Sequence, residues 1–157
     1  MAENHKATRT ETQFSVFLVN KPGTLARVCQ RLADDKINVV AISMMDSTEH
    51  GVLRIVAEKP ESLRRSLASL DLPMTETSVL LATLPNRPGA LADVVERLSS
   101  ARVGVSYAYI TTGAAGGKTL GVFRVSDANK AVKVLEERRP RRKLDNPGRA
   151  DARIRRR

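Results

Sequence analysis

The chain has 157 residues, 41% of them hydrophobic and only 3% aromatic, with one cysteine and a formal net charge of +10. That suffices for a buried aliphatic core, excludes an internal disulfide, and leaves no apolar run near the roughly 20 residues a membrane-spanning helix needs. Ten Lys/Arg against two Asp between Arg138 and Arg157 carry eight of the ten net charges, so the basic character belongs to a tail and not to the body.

Taken in order, Met1 to Thr12 is polar, mixed in charge and without a signal peptide's apolar stretch, and reads as a flexible N-terminus. The lone Cys29 fits a reducing cytoplasm, which is the expected location. Gln13 to Val19 is β-rich and apolar, a buried strand. Asn20-Lys21-Pro22-Gly23 turns the chain into a helix running to about Asp35, with Leu25, Val28, Cys29 and Leu32 forming one apolar stripe. Asn20 is expected to cap the first turn, where Pro22 is also well tolerated. Lys36 to Met45 is a second strand, apolar on both faces; its second face calls for cover by another sheet or another subunit. Met44 and Met45 read as gap-fillers. Gly51 to Ala57 is a third strand, and a short helix opened by Pro60 turns Leu63, Leu67 and Leu70 inward. Met74 to Leu84 is extended, either one long strand or two short ones end to end.

The pattern then repeats. Asn86-Arg87-Pro88-Gly89-Ala90-Leu91-Ala92 follows the first corner by 66 residues, and Leu91, Val94, Val95 and Leu98 reproduce the stripe at the same offset. Val103 to Thr111 repeats the second strand, with Val103, Val105, Tyr107 and Tyr109 on one face. Gly121-Val122-Phe123-Arg124 matches Gly51-Val52-Leu53-Arg54, and Asp127 to Arg138 is a second short helix. No apolar closing strand follows it; the Arg-rich end reads as disordered. The fold class is therefore α+β: two ferredoxin-like βαββαβ modules with antiparallel sheets and helices on one face. The division is 1–12 flexible N-terminus, 13–77 first module, 78–138 second module and 139–157 basic tail.

The duplicated strand–Asn-x-Pro-Gly-x-Leu–helix signature, with its Gly-Val-Leu-Arg and Gly-Val-Phe-Arg strands, resembles a tandem ACT-domain protein over about Gln13 to Glu137. The resemblance implies small-molecule sensing, most often of an amino acid, in a protein that pairs with a second copy. It places ligand contacts at Asn20, Pro22, Gly23, Thr24 and Leu25, and at Asn86, Pro88, Gly89, Ala90 and Leu91. A ligand carboxylate would meet backbone N–H groups at the helix start, where the helix dipole also favours an anion. Thr24 offers a hydroxyl where the second copy has Ala90, which favours the first corner.

Competing chemistry is thin. Tyr107 and Tyr109 could line a pocket, against the plainer reading that they pack at a module or dimer interface. Thr112 to Thr119 contains Gly-Gly-Lys-Thr but lacks the spacing and the strand-to-helix setting of a phosphate loop, so it reads as a hairpin. Asp46, Glu49 and His50 make a poor metal set, and no base stands with a nucleophile, so no catalytic residue, metal or cofactor is expected. Cys29 reads as a small buried residue. The tail lacks aromatic residues for stacking on bases, so specific nucleic-acid binding is not expected. The expected function is a non-enzymatic amino-acid-sensing regulator that forms a homodimer; the alternative is a protein–protein regulatory subunit of an amino-acid biosynthetic enzyme with vestigial ligand sites.

Overall fold

The computed structural model describes residues 7–45, 50–114 and 117–137. Its elements are β1 (Thr8–Val19), α1 (Thr24–Asp34), β2 (Val39–Met45), β3 (His50–Ala57), α2 (Pro60–Ala68), β4 (Met74–Pro85), α3 (Ala90–Ser100), β5 (Val105–Ala114), β6 (Lys118–Val125) and α4 (Ala128–Glu136). The six strands make one antiparallel sheet in the order β2-β3-β1-β4-β6-β5. The Gly-Lys-Thr segment leads into β6, as a hairpin requires. The basic tail and the Asp46–Glu49 turn lie outside the described residues, so only His50 of the suggested metal set is described.

β1 and β4 are each twelve residues long because each serves both modules. The second half of β1 pairs with β3, while its length from Thr8 to Val16 pairs with β4. The second half of β4 pairs in turn with β6. Phe17 N–H donates to the Pro73 carbonyl at 2.9 Å, and 66 residues on Thr83 N–H donates to the Ala7 carbonyl at 2.7 Å. Ala7 therefore stands in the second module where Pro73 stands in the first. The N-terminal half of β1 is the closing strand that the Arg-rich end does not supply, and α4 packs against it. Thr8–Thr12 is thus strand, contrary to the expected loose N-terminus, because hydrogen bonds to Ala82–Ser78 order it. Met74 to Pro85 is one continuous strand.

The helices cover one face of the sheet with two aliphatic cores. Phe14, Val16, Leu18, Val28, Leu32, Leu53, Ile55, Leu63 and Leu67 pack in the first. Leu80, Leu84, Val94, Leu98, Val103, Phe123 and Ala131 pack in the second. Each fully buried Leu or Phe contributes roughly 1.5–3 kcal/mol of transfer free energy. A Cβ at Gly121 would come within 2.5 Å of the Phe123 ring, so that glycine lets the ring lie flat against its own strand.

The other face is covered only in part, with Phe17, Val19 and Met45 left exposed on it. Ala41, Val56, Val79, Leu81 and Val122 form a third cluster with Val40, Tyr109 and Leu120, and the two outermost strands, β2 and β5, come into contact. The other half of the same sheet supplies part of the cover expected for β2, at Val40 and Ala41, while Met45 stays exposed. In both modules a bulge reverses the strand's facing, at Val39/Ala41 and at Val105/Tyr107. This corrects the shared face assigned to Val103, Val105, Tyr107 and Tyr109: Val103 is in the helix-side core, and Tyr109 belongs to the opposite cluster.

Candidate functional site

The two strand-to-helix corners are type II turns, which explains their sequence. Thr24 N–H donates to the Lys21 carbonyl and Ala90 N–H to the Arg87 carbonyl, each at 3.3 Å. Pro22 and Pro88 hold the first central position, whose φ proline fixes. Gly23 and Gly89 hold the second, at φ 90° and 85°, the left-handed region that a type II turn demands. These glycines, and not Asn20 and Asn86, are the N-cap residues of α1 and α3. With glycine there, no capping side chain occupies the first turn. Among the described residues no side chain accepts from the backbone N–H of Leu25, Ala26, Leu91 or Ala92. Asn86 instead ties its own N–H to the Gly117 carbonyl in the β5–β6 hairpin at 3.1 Å.

The corners differ in their surroundings. Among the described residues nothing lies within 4 Å of where a Cβ on Gly23 would stand. At the second, the Arg87 guanidinium lies 3.8 Å from that point. It also donates to the Pro88 carbonyl at 3.2 Å and pairs with Asp93 at 3.3 Å. Behind this second corner is a cavity of about 240 Å³, walled by β1, β4, α3 and α4 and including Thr8, Ala82, Arg87, Ala90, Asp93 and Leu135. At the 66-residue offset, Thr8 replaces Met74, Ala82 replaces Val16 and Ala90 replaces Thr24. Met74 and Val16 pack into the first core. The smaller residues of the second module leave that volume empty. Arg97 braces its far side by donating to the Val134 and Glu137 carbonyls at the end of α4.

Leu25 and Leu91 are both exposed, as are Cys29 and Val95. This corrects the inward reading of the full stripe and of Cys29: only Val28 and Leu32, and Val94 and Leu98, turn into the cores. On the same side of the sheet, Ile42 and Met44 of β2 and Ile110 of β5 are exposed too, although the Met44 methyl rests over Gly51, 2.8 Å from where a Cβ would stand. Each module thus has exposed apolar side chains on a helix and on an outermost strand that pairs with only one strand among the described residues.

Tyr107 and Tyr109 meet inside the curled sheet. The amide of the fully buried Gln13 donates to the Tyr107 hydroxyl at 2.7 Å, and the Tyr109 hydroxyl donates to the Gln13 carbonyl at 3.0 Å. The Arg54 guanidinium stacks 3.8 Å from the Tyr107 ring centre. Burial, then the neighbouring Tyr107, pushes the Tyr109 hydroxyl well above its ordinary pKa, against an opposing pull from Arg54. Tyr109 therefore stays neutral and holds its proton toward Gln13. Sequence reasoning missed Gln13, although a lone amide inside an apolar strand was the available signal.

A model of the ACT domain pair matches residues 9–154. No curated protein matches the chain. The crystal structure of protein BT0572 from Bacteroides thetaiotaomicron is 30% identical, with a TM-score of 0.75, over 83% of this chain and 90% of that one. The ligand-free regulatory subunit of aspartate kinase from Thermus thermophilus shares the fold at 14% identity and TM-score 0.60, over 83% and 97% of the chains. The regulatory subunit of aspartate kinase from Thermus flavus does so at 17% and 0.53, over 83% and 95%.

Proposed function

The chain belongs to the ACT domain pair family, and from that premise we propose that it is a non-enzymatic sensor of an amino acid. The ligand's carboxylate is held at the strand-to-helix corners, by the backbone around Gly23–Leu25 or Gly89–Leu91. The observation that carries this reading is the duplicated type II turn with a glycine N-cap, at which no described side chain accepts from the N–H groups of Leu25, Ala26, Leu91 or Ala92. Bare amides at the positive end of a helix dipole favour a small anion. Regulatory subunits of aspartate kinase have this fold, which gives a precedent for a control role separate from catalysis. Thermal denaturation with each of the twenty amino acids at millimolar concentration tests the reading. A ligand at a hundred times its Kd adds about 2.7 kcal/mol of stability by mass action. No shift with any of them would refute it.

A second reading rests on a different observation. The exposed Leu25, Ile42 and Met44, and Leu91, Val95 and Ile110, lie beside the edges of β2 and β5. Such strips suit pairing with a second copy or docking on an enzyme. A dimer through one strip would bring a neighbour's strand beside a corner. Sedimentation of the chain and of a Met44→Glu variant separates these cases: the variant dissociates if β2 is the dimer edge and is unchanged otherwise.

A further inference from the structure

We infer that the groove between α1 and α2 of the first module binds a diphosphate group, at the end of α1 opposite the Gly23 corner. The inference goes beyond the sensing reading and does not rest on it: the site is a different one and so is the ligand.

Two cavities, of about 310 and 280 Å³, meet there. Asp35, Ile37 and Ser62 wall both, so they form one groove, with Arg31 and Arg65 lining one end and Lys36 and Lys59 the other. The two acids of the groove are already engaged. Asp35 accepts from Arg31 Nε at 2.9 Å and from the buried Ser66 hydroxyl at 2.6 Å, and Glu58 accepts from the Asn38 amide at 2.7 Å. The four cations keep donors to spare. Among the described residues Arg31 donates only through Nε, Arg65 makes one long contact of 3.5 Å to the Ser62 hydroxyl, and neither lysine ammonium has a partner. The start of α2 adds to the excess of positive charge. Its N-cap is Lys59, with no side-chain hydrogen bond to the first turn, whereas α4 begins at Asp127, whose carboxylate accepts from Lys130 N–H. Lysine has no oxygen to cap with, and its charge opposes the positive end of the helix. A bound anion relieves both. The second module is built differently. Counted from the matching caps, Ala101 stands for Asp35 and Val134 for Ser66, and Arg97, the counterpart of Arg31, is spent on the Val134 and Glu137 carbonyls. Cations at both ends of one groove suit a ligand with negative charge at both ends, and guanidinium and ammonium groups are the side chains that hold phosphate. Among the described residues no aromatic ring lines the groove, so recognition is of the phosphates and not of a base.

Isothermal titration of the full chain at low ionic strength tests this, with pyrophosphate as the probe and orthophosphate, AMP and ADP alongside. Pyrophosphate should bind at least about tenfold tighter than orthophosphate or AMP, because only a diphosphate reaches both ends of the groove. ADP binding as tightly as pyrophosphate would identify a nucleoside diphosphate as the source, and ADP binding as weakly as AMP would identify free diphosphate. Arg65→Gln and Lys59→Gln should each weaken pyrophosphate at least about fivefold. Lys133→Gln, the same change of charge at the matching place on α4, should leave it within about twofold, since that charge is screened from the groove. Lys59→Asp, which gives α2 the cap that α4 has, should abolish binding and raise the melting temperature of the ligand-free chain. No binding of pyrophosphate would overturn the site. So would orthophosphate binding as tightly, or equal losses with Lys133→Gln and Arg65→Gln, since either would mean attraction to net charge alone, most of which lies in the basic tail.

Discussion

Gly23 and Gly89 each fix a corner that no other residue fits without strain. A side chain in the left-handed region costs about 1–2 kcal/mol, so Gly23→Ala and Gly89→Ala should each lower stability by roughly that amount, read from urea midpoints at unchanged slope. Asn tolerates the region better, and Gly23→Asn should lose less. Gln13 makes the other case. Its amide joins two half-buried tyrosine hydroxyls on the face away from the helices, and truncation takes that partner from both. Gln13→Ala should therefore cost about 1–3 kcal/mol, and Tyr109→Phe, which removes only one donor, about 0.5–1.5 kcal/mol. Equal losses in the two variants would mean that the amide does not join both rings.

At the scale of elements, periodicity identified the helices, since Val28 and Leu32, and Val94 and Leu98, are where the stripes placed them. It did not show that Leu25 and Cys29 look outward, because a stripe tells which residues share a helix face and not where the underlying sheet ends. The dual role of β1 was also hidden. Its outer half is Thr-Arg-Thr-Glu-Thr, polar throughout, although alternating β-branched Thr8, Thr10 and Thr12 is a strand signal that polarity outweighed. The corners were legible as Pro-Gly turns from strand to helix, but not that Gly23 and Gly89 would be the N-caps in place of Asn20 and Asn86; the cavity behind the second was not legible, because it arises from what Thr8, Ala82 and Ala90 lack across three separate elements. Removing residues 1–12 should strip the closing strand from the second module. Hydrogen exchange should then show α4 and β4 losing protection well before α1 and α2. Between α2 and β4, Arg64 donates twice to Glu76, at 2.6 and 2.7 Å, and holds its carboxyl below the ordinary value of 4.5. A depressed carboxyl stabilises the fold above its unfolded pKa, and that contribution disappears as pH falls through the lower folded value. Glu76→Gln should thus melt with a slightly shallower decline below about pH 4.5; the effect is small because the pair is solvated.

The molecule as a whole has two cores but one sheet, and two of its strands belong to both halves. Breaking either core frays β1 and β4, on which the other depends, so calorimetry should show a single transition with calorimetric and van't Hoff enthalpies equal. Two resolved peaks would mean that the halves melt separately. The sharing of β1 also bears on how the protein is made. The segment that seals the second repeat is made more than a hundred residues before α4, which packs on it, a delay of roughly 6–25 s at ribosomal speed. The repeats cannot mature one after the other like beads on a string. The nascent chain must keep β1 in place for α4, and a bulky group fused just ahead of Thr8 would burden the second repeat, although the first follows it directly in sequence.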